Sequence, residues 1–92
     1  MSRIDIDYAA SQEARIFGFK GEGKIAIFAW SSEPGSVELS MRIPARSNQK
    51  PYIVDLIRND RRALDDYSFE NGLMLVDGVR LTREDTTVIL IE

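Results

Sequence analysis

The 92-residue chain contains no histidine and no cysteine, carries twelve basic against fifteen acidic residues, and has a formal net charge of −3. Those absences exclude imidazole acid–base catalysis, thiolate nucleophiles, disulfide staples and nearly all zinc and iron sites, and the acidic balance speaks against a general binder of phosphate backbones. With 43% hydrophobic residues, the length fits a single domain over 1–92 with one core and no separate regulatory module.

Arg3-Ile4-Asp5-Ile6-Asp7-Tyr8 alternates charged and apolar residues, which predicts a strand with one buried face. A signal peptide would need a continuous apolar stretch there, and no apolar run approaches the roughly 20 residues that cross a bilayer. The expected location is therefore the cytoplasm, with no membrane contact. Ala9 to Glu13 reads as a polar connection. A second strand from Ala14 to Lys20 runs into Gly21-Glu22-Gly23, taken as a three-residue hairpin loop, and a third begins at Lys24. That strand ends at Ser31-Ser32-Glu33-Pro34-Gly35-Ser36, where Pro34 and Gly35 suit the central positions of a type II turn. Val37, Leu39, Met41 and Ile43 then alternate with Glu38, Ser40 and Arg42 in a fourth strand that stops at Pro44.

These loops imply a register. With Pro34 and Gly35 as the loop, Trp30 falls opposite Leu39, Phe28 opposite Met41 and Ala26 opposite Ile43. With Gly21–Gly23 as the other loop, Ala14, Ile16 and Gly18 extend the same layer, the expected core. The reverse side then carries Phe17 opposite Ile27 and Phe19 opposite Ile25, with Arg15 and Arg42 at its margin. Two phenylalanines and two isoleucines require a cover, supplied by a second layer of this chain or by a partner.

Ser47-Asn48-Gln49-Lys50 is a polar linker, and Pro51 suits the first position of a helix. Ile53, Leu56, Ile57, Leu64 and Tyr67 fall near one helical face, and Arg61 with Asp65 and Arg62 with Asp66 stand four apart. The spacing predicts a helix over about 51–64; the competing reading is a strand from Tyr52 to Ile57 with a turn at Asn59-Asp60, because Ile53, Val54 and Ile57 are β-branched. Asp77-Gly78, between Leu73–Val76 and Val79–Thr82, reads as a type I′ hairpin with Met74, Val76, Val79 and Leu81 on one face. Thr86 to Ile91 is apolar on both faces, as in a strand inside a sheet. The expected fold class is α+β: a mainly antiparallel sheet of about six to seven strands with one helix.

Two resemblances arise. Phe17-Gly18-Phe19 followed by Ile27-Phe28-Ala29-Trp30 resembles the paired aromatic strands of cold-shock and related single-strand-binding domains, which implies rings that stack on bases, with Arg15, Lys20 and Lys24 supplying positive charge. Against it, the register above places Phe28 and Trp30 behind the sheet from Phe17 and Phe19; a loop shorter or longer by one residue reverses that placement. Leu64-Asp65-Asp66-Tyr67 resembles the Leu-x-Asp-Tyr turn of ubiquitin-like β-grasp domains, which implies a β-grasp-like arrangement; no Gly-Gly ends the chain, so conjugation is not implied.

No motif points to catalysis, a metal or another cofactor. Asp65, Asp66, Glu70, Glu84 and Asp85 lack calcium-loop spacing and alternate with arginines, so they read as a solvated face. Ser31, Ser32 and Ser36 have no evident base, and Gly18, Gly21 and Gly23 lie between strands, where a phosphate loop would lead into a helix. The expected function is a non-catalytic protein–protein interaction module, of the inhibitor, immunity, adaptor or phage-accessory type, or a small homo-oligomer. Its expected contact surface is Phe17, Phe19, Ile25 and Ile27, rimmed by Arg15 and Arg42. The alternatives are single-stranded nucleic-acid binding through the same aromatics and an enzyme built on carboxylates.

Overall fold

Period-two alternation and β-branched residues run through most of the chain, and the described residues, 2–55, 58–83 and 86–92 of a computed structural model, form strands without any helix. The strands are β1 (Ser2–Ile4), β2 (Asp7–Ala10), β3 (Arg15–Gly21), β4 (Lys24–Trp30), β5 (Val37–Pro44), β6 (Pro51–Asp55), β7 (Asp60–Ala63), β8 (Tyr67–Glu70), β9 (Leu73–Leu81) and β10 (Thr87–Ile91). They form a six-stranded sheet in the order β1-β3-β4-β10-β6-β7 and a four-stranded sheet in the order β2-β5-β9-β8, with all pairs antiparallel.

One core cluster joins the facing sides of the two sheets. Ile25, Ile27, Ala29, Ile89 and Ile91 come from the larger sheet, and Val37, Leu39, Met41, Ile43, Met74, Val76, Val79 and Leu81 from the smaller. Each is at most 2% exposed, so removal of apolar surface from water between two sheets is the main source of stability.

The chain passes from sheet to sheet at both flanks. β1 edges the large sheet and β2 edges the small one, with only Asp5 and Ile6 between them; β7 and β8 do the same at the opposite flank through Leu64, Asp65 and Asp66. Strands that turn such corners leave short edges, which limits edge-to-edge association. Beyond the formal strands, Ser11 N donates to Glu38 O, Leu64 N to Pro51 O and Asp77 N to Asp66 O, so the ladders continue into the corners. At the first corner Ile4 and Ile6 fold over Gly18 of β3. A Cβ on Gly18 would meet Ile6 Cγ1 at 2.8 Å and Ile4 Cγ1 at 3.1 Å, so glycine is required there by close approach.

The α+β expectation is therefore corrected to all-β, and a β-grasp arrangement goes with the helix it needed. In place of a helix over 51–64, β6 is sandwiched between β10 and β7, with Ile53 opposite Ile89 on one side and Arg62 on the other. The β-branched Ile53 and Val54 fit a strand paired on both sides, and Asn59 at φ 54° takes the turn. The competing strand reading was the nearer one; its Leu56 and Ile57 lie outside the described residues. Asp77-Gly78 is no hairpin either. β9 runs through it, and the register steps from Leu39 opposite Val79 to Met41 opposite Val76, an extra residue on β9. Gly78 at φ 71° absorbs this bulge, which keeps Met74, Val76, Val79 and Leu81 on the core side. The hairpin turn lies at Asn71-Gly72, where φ values of 52° and 78° join β8 to β9.

Pro34 and Gly35 also join different neighbours from those expected. Gly35 has the positive φ of 83° that a type II turn needs, yet β4 belongs to the large sheet and β5 to the small one. Trp30, Phe28 and Ala26 consequently have no strand partnership with Leu39, Met41 and Ile43. Among the described residues no helix is long and apolar enough to cross a membrane.

Gly18→Val is expected to lower stability by about 1–3 kcal/mol through overpacking at the Ile4–Ile6 corner, measured as a fall in the urea midpoint; an unchanged midpoint would mean that the corner yields without cost.

Candidate binding face

The outward side of the large sheet is set by one turn. Glu22 and Gly23 have φ values of 52° and 77°, the pair of left-handed residues of a two-residue type I′ loop, and Gly21 pairs with Lys24. The expected three-residue loop is thus one residue too long. Because side chains alternate along a strand, that slip reverses the sidedness of β3 relative to β4. Phe17 lies opposite Phe28, Phe19 opposite Ala26 and Arg15 opposite Trp30, while Gly18 and Ile16 pair with the inward Ile27 and Ala29.

Following the register across the sheet gives two apolar rows on its outer side. Phe17, Phe28, Val88 and Val54 form one row that ends at Arg61; Phe19, Ala26, Leu90 and Tyr52 form the other, which begins at Arg3. Phe17, Phe19, Phe28, Trp30, Leu90, Tyr52 and Val54 are half-buried and stand apart from the core cluster and the residues packed on it. Val88 is only 7% exposed and is also outside that cluster, covered by its neighbours on this side. The small sheet behaves otherwise: Glu38, Ser40 and Arg42 of β5, Asp77 and Arg80 of β9 and Ser68 and Glu70 of β8 alternate with its core residues. The exterior of the small sheet is thus mainly polar, with the half-buried Leu73 and Leu75 as apolar exceptions beside Glu70 and Arg42, whereas the large sheet is apolar on both sides.

The rings on the open side are arranged. Phe17 and Trp30 stack with centroids 5.3 Å apart and planes 23° from parallel, and Phe19 meets Phe28 edge-on at 5.9 Å. Two arginines reach in from the flanks: the Arg3 guanidinium lies 4.6 Å from the Phe17 centroid and that of Arg61 lies 4.7 Å from the Tyr52 centroid. Arg61 also donates to the Glu92 carboxylate, whose other oxygen is 3.4 Å from Lys24 Nζ. The hydrogen bond from Arg61 is the main cause that holds the Glu92 carboxyl below the ordinary glutamate value; loss of solvent around it, next in size, opposes the shift, and the charge of Arg61 and the hydrogen bond and charge of Lys24 add to the lowering.

The six residues expected to form a contact surface are therefore dispersed. Arg15, Phe17 and Phe19 lie on the open side; Ile25 and Ile27, at 2% and 0% exposure, lie in the core. Arg42 is on the outer side of the small sheet, 3.7 Å from Asp7. Phe28, Trp30, Tyr52, Arg3 and Arg61 complete the face in their stead. Its marker in the sequence was Gly23, which supplies one of the two left-handed positions of a two-residue loop after Gly21, but Glu22 gives no hint that it takes the other.

Other candidates resolve into structure. Ser31 is buried, donates to the Glu13 carbonyl at 2.7 Å and accepts from Glu33 N at 3.2 Å, a brace between loops. Asp65, Asp66 and Glu70 are exposed, Glu84 and Asp85 lie outside the described residues, and among those described no three carboxylates gather into a metal site. A shallow depression of about 320 Å³ beside Asp7, Ser40, Arg42, Leu75 and Asp77 is open to solvent. Comparison with protein-family models, with curated proteins and with solved structures yields no match.

Glu92→Gln is expected to lower Tm near neutral pH. Because the folded-state pKa is depressed, the stabilisation is present above the ordinary value of 4.5 and disappears as the pH falls through the depressed one. The two proteins should therefore converge on acidification, and a Tm difference that persists in acid would rule out the ion pairs as its source.

Proposed function

We propose that the protein is a non-catalytic binding module whose working surface is the outer side of the six-stranded sheet. The observation that supports this reading most is the pair of apolar rows across four strands, with stacked rings at one end and no covering layer among the described residues. Folding alone gives no reason for such a surface, since the core between the sheets is complete without it, and a broad apolar side left in water is a liability unless something covers it. The expected interaction surface is thereby re-centred, with Phe28 and Trp30 taking the places of Ile25 and Ile27.

This reading separates surface from core. The double variant Phe17→Ser, Phe19→Ser is expected to keep a cooperative thermal transition, each change costing about 0.5–1.5 kcal/mol in lost ring contacts, whereas Ile27→Ala should cost about 2–5 kcal/mol. Circular dichroism melts of the two proteins provide the comparison. If the double serine variant is unfolded while Ile27→Ala survives, the rings are structural and the binding reading fails.

A further inference from the structure

Resting on that reading of the surface, we infer that its occupant is single-stranded nucleic acid, with bases stacked on the rings and phosphates on the flanking cations. Three observations converge. First, the sequence's aromatic pairs, separated in the expected register, are united by the two-residue loop on one open side. Second, these rings already hold planar cations. Arg3, Phe17 and Trp30 form a ladder across β1, β3 and β4, and Arg61 lies over Tyr52. A base is a flat π-system like the guanidinium, and one laid against Trp30 extends the ladder; stacking of this kind tolerates any base.

Third, charge on this side is opposite in sign to that of the chain. Arg3, Arg15, Lys24 and Arg61 lie on it with one carboxylate, Glu92, among the described residues that the strands place there. The whole sequence stands at −3, so the acidic excess lies elsewhere. A second copy docked by the same side through a two-fold axis would set these cations against each other, which disfavours a face-to-face dimer. A polyanion with flat apolar bases satisfies both parts of the surface at once. Overall acidity limits long-range attraction to phosphate, and local cations with stacking supply the affinity. Glu92, bound by Arg61 and Lys24, occupies the position a phosphate would take between those two cations.

The chain's single tryptophan is on this surface, so its fluorescence reports occupancy directly. Titration with a mixed-sequence single-stranded oligonucleotide, as DNA and as RNA, at low salt is expected to quench Trp30. Taking about three displaced counterions, affinity should drop roughly 20-fold between 50 and 200 mM salt. Phe17→Leu, which keeps apolarity and removes the ring, should weaken binding roughly 5- to 150-fold, and Glu92→Gln should strengthen it. Absence of quenching by either oligonucleotide at low salt, equal affinity for a duplex of the same length, or a wild-type dimer in light scattering that Phe17→Leu dissociates would each overturn the assignment. All three leave the binding-module reading standing, because that reading is tested by the stability comparison of surface and core variants.

Discussion

The two left-handed residues at Glu22 and Gly23 determine what the large sheet shows to solvent. With a two-residue loop, β3 and β4 align so that Ile25, Ile27 and Ala29 point into the core and Gly18 sits under the Ile4–Ile6 corner. A loop longer by one residue would exchange the sides of β3, driving Phe17 and Phe19 towards Ile6 where only glycine fits. Inner packing and outer aromatics are thus two consequences of one turn. The steric constraint at Gly18 reinforces it from a distant part of the chain, and local turn geometry agrees with tertiary packing.

The strands themselves were legible in the sequence only in part: Arg3–Tyr8, read as one strand with Ala9–Glu13 as a connection, is broken at Asp5-Ile6 into β1 of the large sheet and β2 of the small one, and β2 runs on to Ala10, because Ile4 and Ile6 turn the corner over Gly18. Val37, Leu39, Met41 and Ile43 alternate without exception and form β5 as read, and Thr87–Ile91 is a central strand, apolar on both sides as its composition suggested. Which strands pair with which was not legible. Val37–Pro44 follows Lys24–Trp30 through a bend in which Gly35 has the positive φ expected of it, but the bend carries the chain to another sheet; a turn's local chemistry says nothing of the neighbour that the next strand finds. The 51–64 segment misled because Leu64 and Tyr67 sit at helical spacing from Ile53, while all three reach the core from a strand, a corner and another strand. Gly78 shows the same ambiguity: a glycine at positive φ serves a bulge as well as a hairpin.

The candidate surface was half visible for the same reason. Aromatic residues at 17, 19, 28 and 30 are conspicuous in the sequence, but their sidedness depends on one residue of loop length that composition does not reveal. Tyr52 and Arg61 were hidden by the helical reading; the place of Tyr52 beside Leu90 appears only when β6 is laid against β10, and that of Arg61 over Tyr52 only when β7 is laid against β6. The sheet is asymmetric as a result: one side builds the sandwich, while the other gathers rings and cations that the sandwich does not use.

Backbone NOE connectivities across the β3–β4 hairpin measure the register most directly. Cross-strand contacts joining Phe17 to Phe28 and Phe19 to Ala26 are expected, with Trp30 and Phe17 ring protons close together. Contacts that pair Phe17 with Ile27 and Phe19 with Ile25 would return the rings to opposite sides and remove the surface on which the functional reading stands.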